Sequence, residues 1–297
     1  MEKLTIVTGA RADFHSEINP TFSPRLALLY ALQENQTIRA AGSVAYRSPT
    51  LTHSSAHQIS VNTIPTGAPP PHHIFEREVP ITGSLNLKPE KIISYEADYQ
   101  GWFWNHRLRF RSDLFYNQIT NQIVTRDSAN IIGITSSLET QNDLGSTNIY
   151  GGETGIEVLL APWLTGYTNY TYQESSVTTD GPSAQRGIPR SKFNAGLRGD
   201  WESGLSGEIN LHHIGVAQYG SITRFSEFAS LGLIPSDAVP NSRVDGYTLL
   251  NLRGGYMYDD GTEVAFSIFN ALNDKHREHP LGELLSTRIM LWLTRHF

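Results

Sequence analysis

Leu285-Ser-Thr-Arg-Ile-Met-Leu-Trp-Leu-Thr-Arg-His-Phe297 is the stretch on which the fold turns. Its side chains fall into two sets of alternating parity. Leu285, Thr287, Ile289, Leu291, Leu293, Arg295 and Phe297 form one set; Ser286, Arg288, Met290, Trp292, Thr294 and His296 form the other. Successive residues of a β-strand point to opposite faces, so this is a strand with one apolar face. The charge on that face sits near its end, as on a strand whose outward band lies in lipid and ends at an interface.

The same parity recurs upstream. Phe193, Ala195, Leu197, Gly199 and Trp201 alternate with Asn194, Gly196, Arg198 and Asp200, and Leu205, Gly207, Ile209 and Leu211 alternate with Ser206, Glu208, Asn210 and His212. Leu108, Phe110, Ser112, Leu114 and Tyr116 alternate with Arg109, Arg111, Asp113, Phe115 and Asn117; Ile93, Tyr95, Ala97 and Tyr99 alternate with Ser94, Glu96, Asp98 and Gln100. A charged residue facing lipid costs roughly 2–4 kcal/mol at the bilayer midplane, so the polar set must face a wet lumen. Soluble antiparallel sandwiches also alternate, but their strands average about 5–6 residues, whereas a tilted membrane-crossing strand needs about 9–11.

Twelve strands are predicted, at 3–14, 24–33, 36–47, 90–103, 106–119, 147–161, 164–174, 190–201, 205–216, 245–257, 262–272 and 285–297. Within pairs the turns are short: 33–35, Trp104–Asn105, Pro162–Trp163, 202–204 and 259–261. Between pairs they are mostly long and rich in Ser, Thr, Gly and Pro: 48–89, 125–146, 175–189 and 217–244. Short turns on one rim and long loops on the other describe an outer-membrane barrel, with the long loops outside the cell. Trp102, Phe103, Trp104, Trp163, Trp201, Tyr256 and Tyr258 lie by the short turns, where an interfacial aromatic girdle belongs.

Composition agrees. An apolar share of 39% is low for a soluble chain of 297 residues but suits strands with one apolar face. A formal charge of −6 argues against nucleic acid as a partner, and the absence of cysteine removes disulfides and thiolate metal sites. No enzyme motif is present: no Gly-x-Ser-x-Gly, no His-Glu-x-x-His, no glycine-rich phosphate loop. No cofactor and no metal site is expected. His53, His57, His72 and His73 share the longest outer loop; imidazole suits iron, copper and zinc, so these are candidate ligand-binding residues, set against an ordinary polar loop. His212 is expected to face the lumen and His213 the other way.

Several segments, in order, resemble the barrel of TonB-dependent receptors. They are Phe22-Ser-Pro-Arg-Leu-Ala-Leu28 followed by Ala45-Tyr-Arg-Ser-Pro-Thr-Leu51, then Leu87-Lys-Pro-Glu-Lys-Ile-Ile-Ser-Tyr-Glu96 and Asp113-Leu-Phe-Tyr-Asn-Gln-Ile119. Asn148-Ile-Tyr-Gly-Gly-Glu-Thr-Gly-Ile-Glu157 and Phe266-Ser-Ile-Phe-Asn-Ala-Leu-Asn-Asp-Lys275 complete the series, before a strand ending in Phe297. The resemblance implies that residues 1–297 are the carboxy-terminal half of a 22-stranded all-β antiparallel transmembrane barrel in the outer membrane of a Gram-negative-type bacterium. It implies Phe297 as the signal read by the barrel-assembly machinery, and a plug domain, TonB and a nutrient chelate as partners of the intact receptor. Residues 1–11 lack a secretory signal and nothing before Leu4 would form a plug, so a partial chain, doubtful in active transport alone, is expected. Arg39, Glu96, Asp98, Arg109, Arg111, Glu157, Arg198, Asp200 and Arg253 would then be wall residues facing the plug or the substrate path, His276 and His279 structural parts of the closing loop. Two other readings stay open: a stand-alone twelve-stranded channel, and a barrel enzyme with a Ser–His pair. With two edges, the isolated chain would close into a narrower barrel or aggregate, because open edges in lipid leave backbone groups unsatisfied.

Overall fold

Alternation over this many residues, unbroken by helix-period segments, leaves the backbone one way to satisfy its hydrogen bonds in lipid, which is a continuous antiparallel ladder. The computed structural model describes residues 3–15, 18–55, 57–65, 74–127, 130–131, 134–135, 138–177, 187–219, 229 and 235–295. In chain order the strands are β1 (Leu4–His15), β2 (Ile18–Gln33), β3 (Gln36–Arg47), β4 (His57–Pro65), β5 (Ile74–Thr82), β6 (Glu90–Phe103) and β7 (Leu108–Thr120). There follow β8 (Ile123–Asp127), β9 (Asn130–Ile131), β10 (Ile134–Thr135), β11 (Leu138–Asn142), β12 (Ser146–Ala161), β13 (Leu164–Val177), β14 (Ser191–Asp200) and β15 (Leu205–Ile214). The last are β16 (Ala217–Gln218), β17 (Arg243–Val244), β18 (Tyr247–Met257), β19 (Thr262–Phe269) and β20 (Arg288–Arg295), and one short helix, α1, spans Leu51–Ser55.

Twelve of these strands form one antiparallel sheet in the order β1-β2-β3-β6-β7-β12-β13-β14-β15-β18-β19-β20. Every neighbour in this sheet is also the next of the twelve along the chain. A 14-residue strand such as β6 is about 46 Å long, enough to cross the apolar band at a steep tilt. The sheet is open: among the described residues β1 pairs with β2 alone and β20 with β19 alone. Of the two outcomes expected of the isolated chain, closure into a narrower barrel or aggregation, closure is not seen among the described strands.

The faces separate as the alternation requires. No large side chain is fully buried among the described residues, and most of the exposed apolar ones follow one parity along their strand: Leu26, Leu28, Tyr30 and Leu32 on β2, Leu114 and Tyr116 on β7, Ile289, Leu291 and Leu293 on β20, with Val7, Leu159 and Met290 departing from it. An apolar surface this extensive is a lipid-facing surface, not a soluble core.

At one rim the turns are tight. Gly204 and Gly261 adopt φ of 85° and 77°, which closes the β14–β15 and β18–β19 hairpins. Trp104, Asn105 and His106 are all left-handed, so the β6–β7 turn takes up residues 104–107 and β7 begins at 108 rather than 106. Trp163 stacks on Trp201 at 5.0 Å and Tyr256 meets Tyr258 edge-on at 4.8 Å, placing paired aromatics along this rim.

The long loops hold more structure than their composition announces. Segments 48–89 and 125–146 were expected as loops; they contain α1, β4, β5, part of β8, and β11, and β4-β5-β11-β8 make a second, four-stranded sheet. Side-chain bonds tie it to the barrel. Asn142 accepts from the Lys88 N–H at 2.7 Å and donates to the carbonyls of Lys88 and Asn121; buried Glu90 accepts from the Ile123 N–H at 2.8 Å and pairs with Arg47; Thr147 donates to Gln122.

Candidate functional site

Register converts parity into a map of the inward wall. One row runs Arg39, Asp98, Asp113, Glu153, Thr171, Lys192 across β3, β6, β7, β12, β13 and β14. Its centre holds three carboxylates side by side, an arrangement that cross-strand pairing ordinarily disfavours. Arg39 answers it from one side, bonding Glu96 at 2.9 Å and also Asp98.

The next row toward the short turns runs Gln100, Arg111, Gly155, Asn169, Asn194, His212. Beyond it come Trp102, Arg109, Glu157, Tyr167, Gly196, Asn210 and Asn251. Arg109 lies over the Trp102 ring at 5.3 Å and donates to Gln100 at 3.0 Å, which fixes its guanidinium against the wall. Tyr167 donates to Glu208 at 2.5 Å, and Asn210 donates to Tyr167 at 3.0 Å and to Asn194 at 2.6 Å. A further row alternates in sign, Arg198, Glu208, Arg253, with Arg253 reaching Ser206 at 3.2 Å and pairing with Glu263. Arg198 stands 3.9 Å from Asp200. The wall is thus acidic in one row and mixed in the rows below.

Arg39, Glu96, Asp98, Arg109, Arg111, Glu157, Arg198, Asp200 and Arg253 therefore share one face of the sheet. Sequence reading placed Glu208 in a lumen-facing set but passed over Glu153, Lys192 and Tyr167 as wall residues. Their parity relative to Glu157, Asn194 and Asn169 on the same strands would have placed them there.

The outer-loop histidines are less assembled. His53 lies on α1, where its Nδ1 accepts from the Thr50 N–H at 3.3 Å; His57 opens β4, opposite Thr82. His72 and His73 fall outside the described residues, as does Phe297. Among the described residues no group of three His, Cys, Asp or Glu is placed to hold a metal ion. His212 is on the wall face, while His213 bonds Thr248 at 2.9 Å on the outward face. In the loop before β20, the His276 ring stacks on Tyr247 at 4.1 Å and bonds the Asp274 carbonyl at 2.7 Å, and His279 meets Tyr219 edge-on.

No curated protein sequence matches the chain. Solved structures do. The siderophore receptor PirA from Acinetobacter baumannii superposes with a TM-score of 0.74 at 17% identity, over 98% of this chain and 43% of the receptor. A mutant of the ferric enterobactin receptor PfeA from Pseudomonas aeruginosa, in complex with enterobactin, gives 0.73 at 18%, again over 98% and 43%. The ferric-catecholate import receptor Fiu from E. coli K12 gives 0.64 at 15%, over 94% and 35%. The chain thus spans less than half the length of the receptors it resembles. The family model for the TonB dependent receptor-like β-barrel matches residues 1–271, most of the sequence and eleven of the twelve long strands. The chain belongs to the TonB-dependent receptor-like β-barrel family.

Proposed function

We propose that this chain supplies part of an outer-membrane receptor barrel for TonB-energised uptake of a scarce nutrient such as an iron–siderophore. The observation that carries the reading is the twelve-stranded sheet itself: strands in chain order, apolar outward, charged inward, with a rooted sheet on the long-loop side. TonB-dependent receptors in general bind siderophores and work with a plug domain and TonB. In this chain the inward wall would face the plug and the long-loop side would meet the nutrient chelate. The plug is what the energised step moves, so these strands alone would not transport actively. The outer-loop histidines His53, His57, His72 and His73 are the candidate chelate contacts, and Phe297 the candidate assembly signal. A stand-alone channel would need β1 and β20 to pair, and among the described residues β1 pairs with β2 alone and β20 with β19 alone.

The test is expression behind a secretory signal in a Gram-negative host that lacks its own siderophore receptors. The chain should fractionate with the outer membrane and should not by itself restore growth on ferric siderophores. Growth should return, and require TonB, once the chain is joined to a plug and the remaining strands. Stable ion conductance by the chain alone would refute the receptor reading in favour of the channel.

A further inference from the structure

On the inward wall, Gly155 stands where its neighbours in the row carry Arg111 and Asn169. The missing side chain opens a recess of about 250 Å³ whose lining includes Arg109, Arg111, Glu157, Tyr167, Asn169 and Arg198. A Cβ at Gly155 would lie 2.7 Å from Asn169 Oδ1 and 3.7 Å from Arg111 Nη2, so one guanidinium donor and one amide oxygen border the space over the glycine. Glu208, also at the recess, is engaged by the Tyr167 hydroxyl. Arg111 is exposed and, among the described residues, donates no hydrogen bond; Asp113 beside it acts on it through charge. Arg109 is held in place by Trp102 and Gln100 with further N–H groups to give.

Three guanidinium groups around a pocket with one carboxylate not already bonded make a place for a planar oxyanion, and arginine's fork matches a carboxylate in two parallel bonds. We propose that the Gly155 recess is a carboxylate seat, with Arg111 and Arg109 as its donors; Asn169, whose Oδ1 leans over the glycine, borders the seat and gives it no bond. The carboxylate belongs either to a free small acid in the lumen or to an acidic side chain of a polypeptide segment lying against the wall. The proposal rests on the inward reading of this face.

The probes are succinate and the capped tripeptide acetyl-Gly-Asp-Gly-amide, with succinamide as the uncharged control. Each is titrated calorimetrically into the 297-residue chain in lipid nanodiscs at about 0.15 M salt, where interactions between exposed charges beyond about 8 Å are screened. Saturable binding of succinate or the peptide, with no response to succinamide, is expected; the tighter of the two names the source. Arg111→Gln and Arg109→Gln should each weaken it by about tenfold or more, as loss of a charge-assisted bond does. Gly155→Val should abolish it by filling the recess, and Lys91→Gln should leave it within about twofold, since surface charge beyond a Debye length is screened. Absence of saturable binding, or binding unchanged in Arg111→Gln, overturns the seat. Because the chain has no cysteine, Arg111→Cys gives one thiol for a membrane-impermeant maleimide. Labelling without succinate or peptide binding defeats the seat alone, and protection from labelling defeats the inward reading and the seat with it.

Discussion

Gly151 is the position at which a single methyl group should break the sheet. It sits in β12 opposite Gln173 of β13 and Phe115 of β7. A Cβ there would lie 2.1 Å from the Tyr172 carbonyl oxygen, 2.8 Å from Gln173 Cα and 3.0 Å from Phe115 Cζ. The ring can turn aside, but the carbonyl and the Cα belong to the ladder. Restoring contact distance requires the two strands to part by about 1 Å, which takes ladder bonds from about 2.9 Å to beyond hydrogen-bond range. Two bonds lost at this level, each leaving a buried group unsatisfied at roughly 1–3 kcal/mol, give a cost of about 2–6 kcal/mol for Gly151→Ala. Gly254→Ala is the control, because a Cβ there meets nothing within 4 Å. It should be neutral or stabilising by up to about 1 kcal/mol, through the narrower unfolded ensemble. Urea unfolding of the chain in lipid vesicles, followed by tryptophan fluorescence, reads both. If Gly151→Ala unfolds within about 0.5 kcal/mol of the parent, a span well inside the usual effect of a surface change, the close approach is not what the glycine is for.

The acidic row makes its own prediction: Asp113→Asn should stabilise by about 0.5–1 kcal/mol by removing like charges set directly across strands, and Arg39→Gln should destabilise by a similar amount, both read from urea midpoints. Asn142→Ala, which removes three bonds between the outer sheet and the barrel, should speed hydrogen exchange across 57–65, 74–82 and 138–142 while leaving the β12–β13 ladder protected; equal loss of protection in both would show that the two sheets do not open separately. Trp163→Ala should cost about 0.5–1.5 kcal/mol beyond its buried area by unstacking Trp201, seen in the unfolding midpoint and in stronger quenching of Trp201 by brominated lipid; an unchanged midpoint would mean the stack contributes nothing.

Parity carried most of the fold because lipid enforces it. An alternating set such as Ile289, Leu291 and Leu293 has one way to lie, so strand positions and faces could be read directly from the residues. Boundaries failed where the backbone departs from extended for reasons that composition hides. Nothing in Trp104-Asn105-His106 announces three left-handed residues in succession. The outer sheet was missed because Gly67 and the prolines of 69–71 dominated the reading of their loop, although Gln58 to Thr63 alternates as strictly as the barrel strands do. The wall was half legible. Which face Asp98, Asp113 and Glu208 occupy follows from counting along one strand, but which of them stand opposite each other depends on the offset between strands. That offset is set by turns and bulges, such as the shift between Leu159 and Ala161. The acidic row and the recess at Gly155 are both properties of that offset.

In the twelve-stranded sheet, each strand bonds only to those beside it in the order of synthesis. Joining β3 to β6 across residues 48–89 instead of a two-residue turn raises the closure entropy by only about 3 kcal/mol, because that term grows with the logarithm of loop length. In closure entropy a long loop is therefore cheap to lengthen or shorten, and what resists its change is the second sheet in which β5 pairs with β11, not the ladder of the barrel strands. The segments between strands can therefore vary in length and sequence while the twelve-stranded ladder stays as it was.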